Sequence, residues 1–430
     1  MNDVDVRRLV VFAVTYLFVA FPQLGTRIGI RLTRPAAALV GAVAMVSIGG
    51  LPLAQAYAAV DLDVLAFLLG VLLLVGYLEM AGAFEWLAGA AVARARSPRL
   101  LLGAVVLVSG IASAFVMNDT MCVILTPLVL IAVQRLGYRP LPFLLAIALA
   151  ANVGSAMAIT GNPQNMIIGL ASRIGFGPFL VALAPSSLGG LVIVYAVLSI
   201  AFRRDLAPEV APTDGVPAWA AAEGSPEVPV ARELHRGLAL LAGGVFVACV
   251  IGWLIGLSLP LVALGGAAVL IVAARRDPTE VIAGVDWSLL LFFAALFIVT
   301  RGVEQTPLVV AGTRLALDNL HGPGLRDASV VSGAMLVLSN LVSNVPAVLL
   351  WRPAVGALPH ADFVWIVLAM SSTFAGNLTL LGSMANLIVA ERAGKAGSHL
   401  GFFDYLKVGV PVTVLTTLWG IIALSLFAVR

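Results

Sequence analysis

The sequence predicts an all-α polytopic membrane protein built from two inverted repeats, each with a re-entrant hairpin and a discontinuous helix. Three observations lead there. The 430 residues are 61% hydrophobic and 11% charged, with a mean hydropathy of +1.07, whereas soluble domains carry about a quarter charged residues. Six stretches contain no Asp, Glu, Lys or Arg: Arg34 to Asp61, Arg139 to Arg173, Arg173 to Arg203, Arg236 to Arg275, Asp362 to Glu391, and Lys407 to Arg430. Each exceeds the ~20 apolar residues of a spanning helix. Finally, polar landmarks of the first half recur, in order, in the second.

The first apolar stretch, Leu9 to Gly25, has no small-residue cleavage site before the next span and reads as a retained helix. The run from Gly237 to Ala274 holds two helices hinged near Gly256 to Pro260. Between Arg203 and Arg236 the apolar pattern stops, and Pro208, Pro212, Pro217, Pro226 and Pro229 mark an exposed linker. Cys122 and Cys249 both lie in apolar segments, which excludes a disulfide framework or a Cys-based metal site. His235, His321, His360 and His399 are scattered near loops and form no metal-ligand pattern.

The repeat rests on three alignments. Asp61-Leu-Asp-Val-Leu-Ala-Phe lies over Asp286-Trp-Ser-Leu-Leu-Leu-Phe, and the same offset of 225 pairs Glu79 with Glu304. An offset of 226 pairs Ser113 with Ser339, Asn118 with Asn344 and Pro127 with Pro353. An offset of 221 sets Gly161-Asn-Pro-Gln-Asn-Met-Ile-Ile beside Gly382-Ser-Met-Ala-Asn-Leu-Ile-Val. With Asn118 and Asn344 as hairpin tips, three of the four arms are free of charge, and Arg352 interrupts the fourth. An external N-terminus makes 25–34, 81–99, 135–140, 203–236, 275–286 and 391–407 cytoplasmic. Those loops hold 17 of the 25 Lys and Arg, so the net charge of +3 reflects positive cytoplasmic loops. The halves then run in opposite senses, as in many secondary transporters.

Chemistry concentrates at the interruptions. The first tip places Asn118, Asp119 and Thr120 in the middle of an apolar stretch. A carboxylate at membrane depth is costly unless it meets water, a partner or an ion, so Asp119 is the candidate group for ion or proton coupling. It equally suits an N-cap, and the two roles are compatible. The second tip, Ser343-Asn344-Val345-Pro346, repeats the amide and replaces the acid with Val345. Gly, Pro and clustered amides also break the helices around Ala151-Asn152 to Asn165 and Gly376-Asn377 to Asn386. Such breaks persist where freed backbone lines a cavity, while helix–helix glue is the blander reading. The candidate substrate-binding residues are therefore Asn118, Thr120, Gly161, Asn162, Gln164, Asn165, Ser343, Asn344, Asn377, Thr379, Gly382, Ser383 and Asn386. Half-helices beginning near Gln164 and Met384 aim backbone N–H groups at substrate oxygens. No Lys or Arg falls in these motifs, which favours a neutral polyhydroxy acid, or an anion carried with cations, as substrate. Glu79 and Glu304 read as interfacial acids, and Cys122 as a small core residue rather than a thiol for a metalloid.

At these motifs the chain resembles the ion-transporter superfamily of ArsB arsenite permeases, NhaD sodium/proton antiporters and divalent-anion:sodium symporters, with a citrate-transporter-like fold. Asn118-Asp-Thr-Met-Cys-Val-Ile-Leu-Thr-Pro127 looks like the ArsB hairpin. Gly161-Asn-Pro-Gln-Asn165 is similar to ArsB/NhaD-type permeases and plant silicic-acid efflux transporters, and Gly376-Asn-Leu-Thr-Leu-Leu-Gly-Ser-Met-Ala-Asn386 resembles the second ArsB half. The resemblance implies a homodimer in the bacterial inner membrane, working as an elevator of scaffold and transport domains. Scaffold helices are then expected over 1–60 and 237–285, and a cytoplasmic linker over 203–236. The repeats occupy 61–202, with a cytoplasm-opening tip at 118–120, and 286–430, with an outward-opening tip at 343–346. The symporter branch carries Ser-Asn-Thr at the tips, whereas this chain has Met117-Asn118-Asp119 and Ser343-Asn344-Val345. The acid favours the efflux branch, with a proton exchanged for arsenite, silicic acid or a similar oxyacid. The alternative is sodium-coupled transport of small organic or inorganic anions such as citrate or dicarboxylates. No cofactor and no nucleic-acid partner are expected. A membrane enzyme would need a catalytic His, metal spacing or a nucleophile–base pair that the motifs lack, and paired discontinuous helices fit alternating access better than a channel.

Overall fold

The computed structural model describes residues 2–207 and 234–427, apart from 22, 23, 26–28, 30, 31 and 319. Most of the expected linker, 208–233, lies outside the described residues. Among the described residues every regular element is helical. The first series comprises α1 (Asp3–Ala20), α2 (Arg34–Ser47), α3 (Leu53–Ala59), α4 (Leu62–Met80) and α5 (Ala83–Arg94). It continues with α6 (Pro98–Val116), α7 (Asn118–Arg135), α8 (Leu141–Ser155), a 3-10 turn (Ile159–Gly161), α9 (Pro163–Ser172) and α10 (Phe176–Ala201). The second comprises α11 (Arg236–Leu254), α12 (Leu259–Ala273), α13 (Pro278–Gly284), α14 (Trp287–Val303) and α15 (Pro307–Leu317). It ends with α16 (Leu325–Val342), α17 (Asn344–Val355), α18 (Ala361–Ala375), α19 (Met384–Lys395) and α20 (Phe402–Phe427).

Several helices of the two series match in length, while α7 and α17 differ, at 18 and 12 residues. α3 and α13 have 7 residues each, α8 and α18 have 15, and α10 and α20 have 26. The paired acids Asp61 and Asp286 prove to be N-caps, accepting from Val64 N at 3.2 Å and Leu289 N at 3.1 Å. Among the described residues six helices are long and apolar enough to cross a membrane: α4, α6, α10, α11, α16 and α20. α13 and α14, bent by 47°, form a possible seventh span. The charge-free run after Arg34 does not become one spanning helix. α2 stops at Ser47, and Gly50, at φ +67°, turns the chain before Pro52.

α8 and α18 form the centre, where every residue from Pro142 to Ser155 and from Phe363 to Ala375 is buried. α11, by contrast, turns Leu240, Val247, Ile251 and Leu254 outward, as a lipid-facing helix does. α8 packs most extensively on α6. Gly154 makes that approach possible, because a Cβ there would collide with the backbone of Gly110. Since backbone cannot give way as a side chain can, Gly154→Ala should destabilise the protein by about 1–3 kcal/mol, seen as a lower melting temperature in detergent.

Arg352, which interrupts the fourth hairpin arm in the sequence, has a partner. Its Nη1 lies 2.8 Å from Asp61 Oδ2, so α17 is tied to the start of α4 and the charge is not left to lipid. Asp61→Asn should cost about 1 kcal/mol in a melting experiment, and exchanging the two residues should recover part of it. Elsewhere, His235 N donates to Ala81 O at 3.0 Å and Arg139 pairs with Asp205 at 3.1 Å. With α5 against α7, these contacts gather the 81–83, 135–140 and 203–207 connections at one end of the bundle.

Candidate functional site

Both hairpins turn on a strained residue. Met117, between α6 and α7, has φ 65° and ψ 130°; Ser343, between α16 and α17, has φ 74° and ψ 159°. Side-chain-bearing residues rarely adopt positive φ, and each such position costs on the order of 1–3 kcal/mol. The same outlier recurs at matched places, 226 residues apart, and strained backbone of this kind clusters at functional sites. At both tips the helix restarts on an asparagine.

The tips meet the two helix breaks through a network of amides. Asn152, near the end of α8, is its hub. Its Oδ1 accepts from Asn118 Nδ2 at 2.8 Å and from Ser383 Oγ at 3.0 Å. Its Nδ2 donates to Asn377 Oδ1 at 2.8 Å and Asn386 Oδ1 at 3.0 Å. One side chain thus joins the first tip to the second break. The breaks are themselves held by paired amides. Asn165 Nδ2 donates to the carbonyls of Ser155, Ala156 and Ala158, and Asn386 Nδ2 to those of Gly376 and Thr379. Asn162 caps α9 by accepting from Asn165 N at 2.9 Å and donates to Ser155 Oγ and Thr373 Oγ1.

A cavity of about 320 Å³ lies at this junction. Of the residues expected to bind substrate, Asn118, Gln164, Ser343, Asn344, Thr379, Gly382 and Ser383 line it, together with Asp119. Thr120 faces an adjoining vestibule of about 560 Å³ instead. Gly161, Asn162, Asn165, Asn377 and Asn386 are fully buried behind the cavity, where they shape the breaks. Among the lining amides, Asn118 Oδ1, Asn340 Oδ1 and Asn344 Oδ1 are buried without a hydrogen-bond partner. Buried carbonyl oxygens of this kind ordinarily find donors, so three acceptors from the two tips stand ready for hydroxyl groups or a cation. Gly376 helps bring the second tip in, because a Cβ there would press on Asn344 Nδ2 at 3.2 Å.

Sequence reasoning missed Arg34. It lines both the cavity and the vestibule, and its Nη1 lies 3.1 Å from Met384 Sδ at the start of α19. It interacts through charge with Asp119, which also lines both spaces; Asp286 lies within reach as well. The expectation of a site without a fixed cation is thereby corrected, because the cation comes from outside the four motifs. A clue was present in the sequence. Thr33-Arg34-Pro35 opens α2 with a basic residue and no acid in the first turn, against the helix dipole. Asn152, which the sequence shows only as part of a broken motif, and Asn340, on α16 just before the second tip, take their places from their partners. Asn340 Nδ2 donates to Leu336 O and Ala375 O.

The tips predict their own test. Asn118→Ala and Asn344→Ala should each abolish transport with expression and melting temperature near normal, measured in proteoliposomes beside size-exclusion profiles. Normal transport by either variant would remove that tip from the site.

A bundle of apolar helices around a cavity lined by amides and hydroxyls, together with its relatives, defines a multi-pass membrane transporter and not an enzyme. The chain belongs to the citrate transporter (CitMHS) family, whose profile matches residues 16–375. It is 32% identical over 467 residues to the silicon efflux transporter LSI3 of rice (Oryza sativa subsp. japonica), covering 96% of each chain. It is 28% identical to a putative transporter, arsB, of Dictyostelium discoideum, covering 96% of this chain and 91% of the relative. Its fold is similar to the crystal structure of the YdaH transporter of Alcanivorax borkumensis, at a TM-score of 0.55 and 16% identity over 84% of each chain.

Proposed function

We propose that the protein is a secondary active transporter that exports a small neutral metalloid oxyacid, such as silicic acid or arsenite, in exchange for protons. The carrying observation is the balance of charge and hydrogen-bonding groups in the central cavity. Its described lining has two formal charges, Arg34 and Asp119, which cancel, and the rest of its polar groups are amides and hydroxyls. A neutral hydroxo acid brings several O–H donors, which suit the Asp119 carboxylate and the orphan carbonyl oxygens of Asn118, Asn340 and Asn344. The names of the rice and Dictyostelium relatives agree with this substrate class.

Coupling follows from competition. An ionised Asp119 accepts substrate hydroxyls on both oxygens, whereas a protonated Asp119 turns one oxygen into a donor and keeps only the weaker carbonyl acceptor. Proton and oxyacid therefore each weaken the binding of the other, and that competition is what antiport requires. Apparent substrate affinity should fall as pH is lowered, and this is read from transport KM across a pH series. Asp119 belongs to the first tip alone, since Val345 occupies the matched place, so one half carries the coupling charge.

For orientation, we place the N-terminus outside and the 203–236 linker in the cytoplasm of the bacterial inner membrane, so that the halves are inverted. The Lys/Arg distribution and the gathering of three connections at one bundle end support this. In a Cys-free background, single cysteines at Ala220 and Gly322 should label from opposite sides. α4 packs on α12 and α14 on α2, which supports a scaffold of those helices with 1–60 and 237–285. Hairpins and broken helices then move as a transport domain, in a homodimer.

Arg34 also gives the alternative a foothold, because a fixed cation in the cavity suits a small anion carried with sodium. Flux of silicic acid, arsenite and citrate into proteoliposomes, under separate proton and sodium gradients, distinguishes the two. Proton-driven movement of the neutral oxyacids supports antiport; sodium-driven citrate movement supports the alternative.

A further inference from the structure

We infer that Arg34 is the selectivity residue of the passage between vestibule and central cavity, cancelling the charge of Asp119 so that neutral hydroxylated solutes enter and free cations do not. This rests on the proposed site, and it assigns a role to a residue outside all four motifs. The vestibule is lined by Glu79, Asp119, Glu280 and Asp286, and among its described lining residues Arg34 is the one basic group. Four carboxyl groups around one space concentrate cations there. The cavity beyond, with its bare amide oxygens, would coordinate a cation readily.

The passage between the two spaces is defined by the residues they share, and these include Arg34, Asp119 and Met384. Arg34 stands at the first turn of α2, Asp119 on the first tip and Met384 at the second helix break. The guanidinium reaches across to the Met384 sulfur at 3.1 Å, which places its head in the opening. It therefore adds a positive potential where the acidic vestibule would otherwise deliver a cation to the site. A neutral hydroxo acid meets donors from Arg34 and acceptors from Asp119 and bears no electrostatic penalty. A free anion is opposed by Asp119 and the three vestibule carboxylates.

The experiment uses the purified full-length protein and reads thermal protection by sodium (against choline, at equal ionic strength) and by inorganic phosphate (against chloride). The wild type and Arg34→Lys, which keeps the charge, should be protected by neither ion. Arg34→Gln leaves one net negative charge and should gain sodium protection, with apparent affinity raised about tenfold or more. Asp119→Asn leaves one net positive charge and should gain phosphate protection. The double variant returns to neutrality and should lose both gains. Sodium protection of the wild type, an unchanged ion pattern in Asp119→Asn, or a double variant that keeps both gains would each overturn the inference. If Arg34→Gln fails to fold, the Asp119→Asn and Arg34→Lys arms still decide. None of these arms uses an oxyacid, so failure of the proposed substrate is seen separately, in flux.

Discussion

Asp119→Asn should abolish proton-driven export while sparing part of substrate exchange at equal pH. Net flux under an imposed pH gradient should fall to the level of protein-free liposomes. The amide keeps the shape of the side chain and fixes it in a form without charge, as a permanently protonated carboxyl would be. The cavity then still holds the orphan acceptors of Asn118, Asn340 and Asn344, so a hydroxo acid retains partners and slow exchange continues. What disappears is the group on which proton and substrate alternate. Asp119→Glu should be impaired as well, because an added methylene displaces the carboxylate in a tip held by the strained Met117. If Asp119→Asn still concentrates substrate with protons, coupling resides elsewhere, and Glu79 in the vestibule is the next candidate.

Asn152→Ala should be the most damaging substitution for structure and transport together. It removes four hydrogen bonds that link the first tip to the second break, to Asn118, Ser383, Asn377 and Asn386. Each contributes about 0.5–1.5 kcal/mol, and stranded buried amides cost more. A loss of about 3–5 kcal/mol is expected, visible as a fall in melting temperature in detergent, with transport absent. Asn152→Asp tests the donor side separately. It keeps the acceptor for Asn118 and Ser383 and loses the donors to Asn377 and Asn386. A variant that melts normally yet does not transport would move Asn152 from framework to direct binding.

Most of the fold was legible because membrane burial leaves strong marks. Charge-free runs located most of the helices, and helices do end and restart at the two asparagine tips and at the two Gly/Asn segments. The length of the Arg34 to Asp61 stretch was misleading, since composition does not report that Gly50 and Pro52 end a helix early. The division of labour among the amides was also hidden. Asn118 and Asn344 line the cavity, whereas Asn162, Asn165, Asn377 and Asn386 spend their donors on backbone and neighbours. A string of similar polar residues does not say which of them face inward. Arg34 was missed for a different reason. It is 85 residues from Asp119 in sequence, and only the packing of α2 against the rest of the bundle brings it to the site.

The central claim is that proton and substrate compete for Asp119, and proton release on binding tests it most directly. Silicic acid or arsenite is added to purified protein in weakly buffered detergent solution, at a pH where the added acid itself stays neutral, and the pH change is recorded. The account predicts proton release by the wild type that saturates with the oxyacid and is absent in Asp119→Asn. Binding without proton release, or release that persists in Asp119→Asn, would contradict it.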